Sequence, residues 1–68
     1  MDGNIFSSKG VHVAVVTGQV ILNLKGEKIY RLQGGNIYKM TGELVGHLAN
    51  ANGAEKRLDK ATDKLFDI

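Results

Sequence analysis

A period of sixteen residues runs through about two-thirds of the chain, and it constrains the fold more than any other feature. Written in sixteens, residues 2–17 read DGNIFSSKGVHVAVVT, 18–33 read GQVILNLKGEKIYRLQ and 34–49 read GGNIYKMTGELVGHLA, with no gaps. The fourth column is Ile5, Ile21 and Ile37, and the fifth is Phe6, Leu22 and Tyr38. The ninth is Gly10, Gly26 and Gly42, the twelfth Val13, Ile29 and Val45, and the fifteenth Val16, Leu32 and Leu48. Self-similarity at a fixed period marks a supersecondary unit used repeatedly.

Each unit reads as a β-hairpin. Asp2-Gly3, Lys9-Gly10, Thr17-Gly18, Lys25-Gly26, Gln33-Gly34 and Thr41-Gly42 punctuate the chain about every eight residues. Tight hairpin turns need positive φ, which glycine adopts without steric cost. The residues between are β-branched, aromatic or leucine, which suit strands. The pattern predicts strands near 4–8, 11–16, 19–24, 27–32, 35–40 and 43–48. In the second strand of each unit the apolar columns stand three apart, as in Val13 and Val16, where alternation would space them by two. A bulge, a bend or burial on both faces would each account for this.

After the repeats, AEKRLDKATDKLFDI reads as a helix over 54–67. Asn52 is positioned as its N-cap, with Glu55 three residues on as in a capping box. Ala54, Leu58, Ala61, Leu65 and Ile68 form one narrow apolar stripe. Lys56, Lys60 and Lys64, interleaved with Asp59, Asp63 and Asp67, read as a solvated face. The expected architecture is mostly β: one small domain over 1–68, with three antiparallel hairpins over 2–49 and a C-terminal amphipathic helix. The expected core is Ile5, Phe6, Val13, Val16, Ile21, Leu22, Ile29, Leu32, Ile37, Tyr38, Val45, Leu48, Leu58, Ala61 and Leu65.

The hairpin units resemble the bacterial domain called the 4-fold β flower, whose units follow DG-x-I-Y-x-x-x-G-x-x-V-G/A. Gly35, Asn36, Ile37, Tyr38, Gly42, Val45 and Gly46 match in the third unit, and Gly3, Ile5, Phe6, Gly10, Val13 and Ala14 in the first. The middle unit departs: Gln19 stands in place of the second glycine, and Tyr30 in place of a small residue. The resemblance implies hairpins strung around a pseudo-rotational axis and no assigned catalytic residues. Three hairpins are present rather than four, so the helix or a second chain is expected to close the arrangement.

The bulk composition narrows the function classes. At 68 residues the chain buries a small fraction of its surface, and with no Cys it has no disulfide or thiolate metal site to compensate. Pro and Trp are also absent, which leaves self-association as the expected source of added stability. Nine Lys and Arg against seven Asp and Glu give a net charge of +2, too little to argue nucleic-acid binding by charge alone. The longest apolar stretch, Val13 to Val16, is four residues, so no membrane association is expected and the reading is cytoplasmic.

Candidate chemistry is sparse. His12 and His47 occupy different columns and have no partner at metal-ligand spacing. Ser7 and Ser8 lack a nearby base. Gln33-Gly34-Gly35-Asn36 lies between two strands, where a hairpin turn outweighs a phosphate loop. No catalytic cluster, metal site or cofactor is expected. The candidate binding surface is Lys28, Tyr30, Arg31, Tyr38 and Lys39, with Lys25 nearby. If the turn is centred on Gln33 and Gly34, Lys28 faces Lys39 and Tyr30 faces Ile37. The first functional expectation is therefore a non-enzymatic structural or protein-interaction module that forms a homo-oligomer. The second is a small β module that binds single-stranded nucleic acid through this basic and aromatic face.

Overall fold

Glycine turns divide the first fifty residues into antiparallel strands. The structure, a computed structural model, describes residues 2–50 and 53–66. Its strands are β1 (Gly3–Phe6), β2 (His12–Thr17), β3 (Val20–Asn23), β4 (Lys28–Gln33), β5 (Asn36–Tyr38), β6 (Leu44–Asn50) and β7 (Glu55–Leu58). A 3-10 helix, Lys60–Phe66, follows. Each strand pairs with the next in antiparallel fashion, and β7 also pairs with β1 in parallel, closing a seven-stranded barrel.

Two kinds of turn alternate. Thr17 pairs with Val20 and Gln33 with Asn36, leaving two-residue loops that begin at Gly18 and Gly34. Both glycines have φ of +61°, the left-handed conformation a II′ hairpin needs at its first central position. The other turns are longer. The carbonyls of Ser7, Asn23 and Lys39 accept from the N–H groups of Gly10, Gly26 and Gly42 at 2.9, 3.0 and 2.8 Å.

A bulge accounts for the three-residue spacing. Pairing steps from Ile5–Ala14 to Phe6–His12, from Ile21–Tyr30 to Leu22–Lys28, and from Ile37–Gly46 to Tyr38–Leu44. Val13, Ile29 and Val45 are skipped, one in each hairpin, and all three pack half-buried against the core. The extra residue bends the strand and sharpens its twist, as closing a small barrel requires.

The barrel interior is packed with side chains. Ile5, Ile21 and Ile37, together with Ala14 and Leu58, are fully buried, and Val16 and Leu32 nearly so. Strand alternation puts the next column, Phe6, Leu22 and Tyr38, on the outer face, where each is half-buried rather than in the expected core. Ala14 was not among the expected core residues. It points inward because it alternates regularly with Val16 and pairs with the buried Ile5; the bulge at Val13 lies beyond that pair.

The expected helix over 54–67 is corrected. Residues 55–58 form β7, with Glu55 and Arg57 exposed and Lys56 and Leu58 buried. Three hairpins leave β1 and β6 with unpaired edges, and backbone bonds to both outweigh a local helical pattern. Leu58 remains a core residue, Leu65 is half-buried, and Ala61 is exposed instead of buried. The helical segment that does form starts at Lys60 and is capped by Asp59, whose Oδ1 accepts from Thr62 N–H at 2.9 Å and Thr62 Oγ1–H at 2.7 Å. The expected N-cap Asn52, and Asp67 and Ile68, lie outside the described residues.

Two glycines admit this segment. A Cβ at Gly3 would lie 2.6 Å from the Ala54 carbonyl oxygen, and one at Gly46 would lie 2.7 Å from Thr62 Cγ2. Lys56 pairs with Ile5, so its stem fills barrel interior, while its Nζ reaches the Gly53 carbonyl at 2.5 Å.

Candidate functional site

Alternation and the bulge decide which members of the basic and aromatic surface stand together. Gly34, not Gln33, takes the first central position of the β4–β5 turn, so Arg31 is opposite Tyr38 and Leu32 opposite Ile37. The expected Lys28–Lys39 and Tyr30–Ile37 pairings therefore do not form: Lys28 pairs with Leu22 and Tyr30 with Ile21. The bulge at Ile29 also separates Lys28 from Tyr30, which simple alternation would have left on one face. Lys28 stays exposed outside, while Tyr30 is half-buried against the core.

Tyr30 instead holds the C-terminal segment. Its ring meets Phe66 edge-on, with centroids 5.6 Å apart at 64°, and its hydroxyl donates to the Leu65 carbonyl at 3.4 Å. This explains the odd residue of the middle unit. The thirteenth column reads Ala14, Tyr30, Gly46: Gly46 clears space for Thr62 and Leu65, and Tyr30 reaches across to Leu65 and Phe66.

On the outside, Arg31 and Tyr38 stand directly opposite one another. They line a cavity of about 230 Å³ with Gln19, Leu32, Gln33 and Gly42. Arg31 is the charged member of that lining and is exposed; Tyr38 is half-buried beneath. Gln19 and Gln33 escaped the sequence reading. Gln19 is the second residue of the Gly18-Gln19 turn and Gln33 the last residue before the Gly34-Gly35 turn, and placing that second turn there is the signal that finds Gln33. Lys39 lies just past β5, exposed, 3.8 Å from the equally exposed Glu43; such a pair contributes little. Lys25 is exposed in the β3–β4 turn.

The serines have structural roles at the β1–β2 turn. Ser7 is fully buried, and its Oγ accepts from the N–H groups of Lys9 and Val11 at 3.2 and 3.1 Å. Asn23 does the same in the next hairpin, accepting from Lys25 and Glu27 at 2.9 and 3.0 Å. Ser8 donates through its amide to Asp63 Oδ1 at 2.9 Å and through its hydroxyl to Asp63 Oδ2. His12 is exposed, its ring 5.2 Å from that of Phe6, and the amide of exposed His47 donates to Thr62 Oγ1 at 3.0 Å. Among the described residues, no three His, Cys, Asp or Glu side chains converge as metal ligands. A second, more polar cavity of about 390 Å³ lies along the β1–β7 seam, lined by Phe6, Gly10, Asn50, Glu55, Lys56 and Arg57.

The Ser8 hydroxyl, then the Ser8 amide, hold the Asp63 carboxyl below its ordinary range; Lys9 and Lys60 add to this against partial burial. A lowered carboxyl favours the docked state above its unfolded pKa. Docking of the 3-10 helix should therefore persist to ordinary carboxylate pH and weaken only as pH falls through the lowered value. The Ser8 amide resonance, followed by NMR against pH, should move in that acid step. The step should vanish in Asp63→Asn.

Set against protein-family models, curated proteins and solved structures, the chain matches none. Among the described residues, no helix is long and apolar enough to cross a membrane.

Proposed function

We propose that the protein is a non-enzymatic structural or interaction module of the cytoplasm that associates with itself through one end of its barrel. The observation that carries this reading is where the exposed large apolar residues lie. Val11, Leu24 and Met40 sit in the turns after β1, β3 and β5, and Leu44 opens β6, with exposures of 53, 60, 49 and 48%. Strands β1, β3 and β5 run the same way, so these turns share one end of the barrel. An apolar rim gathered at one end favours contact with another protein surface. Closure of the sheet removes the open edges through which strands otherwise pair, so side chains of the rim, not backbone, make this contact.

Kinship with the 4-fold β flower belongs to the same reading. It is supported by the glycine turn, the buried isoleucine and the bulge that recur in each hairpin.

Size-exclusion with light scattering at tens of micromolar tests the proposal. The wild-type protein is expected above the 7.4 kDa of one chain, and Leu24→Glu with Met40→Glu should return it to a monomer that stays folded by circular dichroism and melts at a lower temperature. A wild-type monomer, or a doubly substituted oligomer, overturns it.

A further inference from the structure

We propose that the outer face of β4 and β5 binds a nucleotide unit of single-stranded nucleic acid, with Arg31 and Tyr38 as the central contacts. Neither residue is among the apolar rim residues, although Tyr38 pairs with Leu44 and the cavity reaches Gly42 in the turn of Met40. Four functional groups meet at the cavity. Arg31 offers an exposed guanidinium whose planar fork matches phosphate oxygens. Tyr38, directly opposite on the next strand, offers an aromatic face. Gln19 and Gln33 offer primary amides, each both donor and acceptor, suited to the edge of a base.

Size selects within that chemistry. About 230 Å³ falls below the roughly 300–1,000 Å³ typical of pockets that enclose a drug-sized ligand, and it suits a single ring system lying against a wall. A base stacked on an aromatic, with its phosphate on an arginine, is how sequence-tolerant single-strand binders grip each nucleotide. A carboxylate or free phosphate would engage Arg31 alone and leave the ring and both amides unused.

Charge sets the strength. Lys28 is exposed on the same strand and the same outer side as Arg31, while Lys39 lies past the end of β5, beside Glu43. Two cations therefore meet the backbone, and affinity should fall with salt with a log–log slope of about −1.4.

Fluorescence anisotropy of a labelled oligo-dT at low salt decides the matter. The wild-type protein is expected to bind. Arg31→Gln should weaken binding and reduce the slope by about 0.7, the share of one phosphate. Tyr38→Leu should weaken it about tenfold or more with the slope unchanged, and Tyr38→Phe, which keeps the ring, should bind as wild type. Should Tyr38→Leu fail to fold, Arg31→Gln and Gln33→Leu carry the test, since both side chains are exposed. A mononucleotide should compete with the oligonucleotide and inorganic phosphate should not. Absence of binding, equal competition by inorganic phosphate, or affinity indifferent to Arg31→Gln and Gln33→Leu each overturns the proposal.

Discussion

Truncating Ile21 to alanine is expected to remove most of the folding stability of this protein. Ile21 is fully buried, and it sits where Val16 of β2 and Tyr30 of β4 pair with it from either side. Deleting a buried isoleucine to alanine costs about 2–5 kcal/mol, the lost transfer energy plus the cavity left behind. A domain of this length has only about 3–5 kcal/mol from a single core. In urea, the variant should be largely unfolded or have its thermal midpoint lowered by more than about 10 °C. The equivalent changes at Ile5 and Ile37, equally buried, should act alike. Val11→Ala, half exposed in a turn, should change stability by less than about 0.5 kcal/mol. A loss under about 1 kcal/mol at Ile21 would contradict the packed interior.

Gly3→Val carries the second largest effect, for a different reason. A Cβ there meets the Ala54 carbonyl oxygen at 2.6 Å, an atom of backbone and not the movable end of a side chain. That same carbonyl accepts the Asn4 N–H at 2.7 Å at the start of the β1–β7 seam. Relieving the clash means parting the seam, so overpacking and a lost hydrogen bond combine to about 2–4 kcal/mol. The same column holds Gln19 in the second hairpin, where no closing strand abuts and a side chain is tolerated. Hydrogen exchange should show early loss of protection in β1 and β7 of Gly3→Val, with β3 to β5 retained. Uniform loss across all strands would indicate instead that the seam and the hairpins melt as one unit.

Much of the candidate surface was legible as residue types and misread as geometry. Lys28, Tyr30, Arg31, Tyr38 and Lys39 do gather around β4 and β5, but the bulge at Ile29 puts Lys28 on the opposite face from the inward Tyr30, and the turn at Gly34-Gly35 gives Arg31 to Tyr38. A bulge was among the readings that the spacing of Val13 and Val16 allowed, yet a bulge, a bend and two-sided burial leave the same mark on a sequence. Local spacing does not distinguish them, because the difference lies in how a neighbouring strand is paired. The C-terminal segment was misread for a related reason. Leu58 and Leu65 fit a helical stripe on paper, while residues 55–58 were also the length of chain that reached two vacant edges.

The hairpin strands, their glycine turns and the apolar character of the isoleucine column follow from local sequence, because each depends on interactions within a few residues: positive φ at Gly18 and Gly34, and β-branched side chains along a strand. The tertiary structure decided closure, the side on which each aromatic falls, and what the last residues become. Those depend on groups far apart in the chain, such as the Asn4 amide bonded to the Ala54 carbonyl and the Ser8 amide to the Asp63 carboxylate, and no local propensity encodes which distant edge will need a partner.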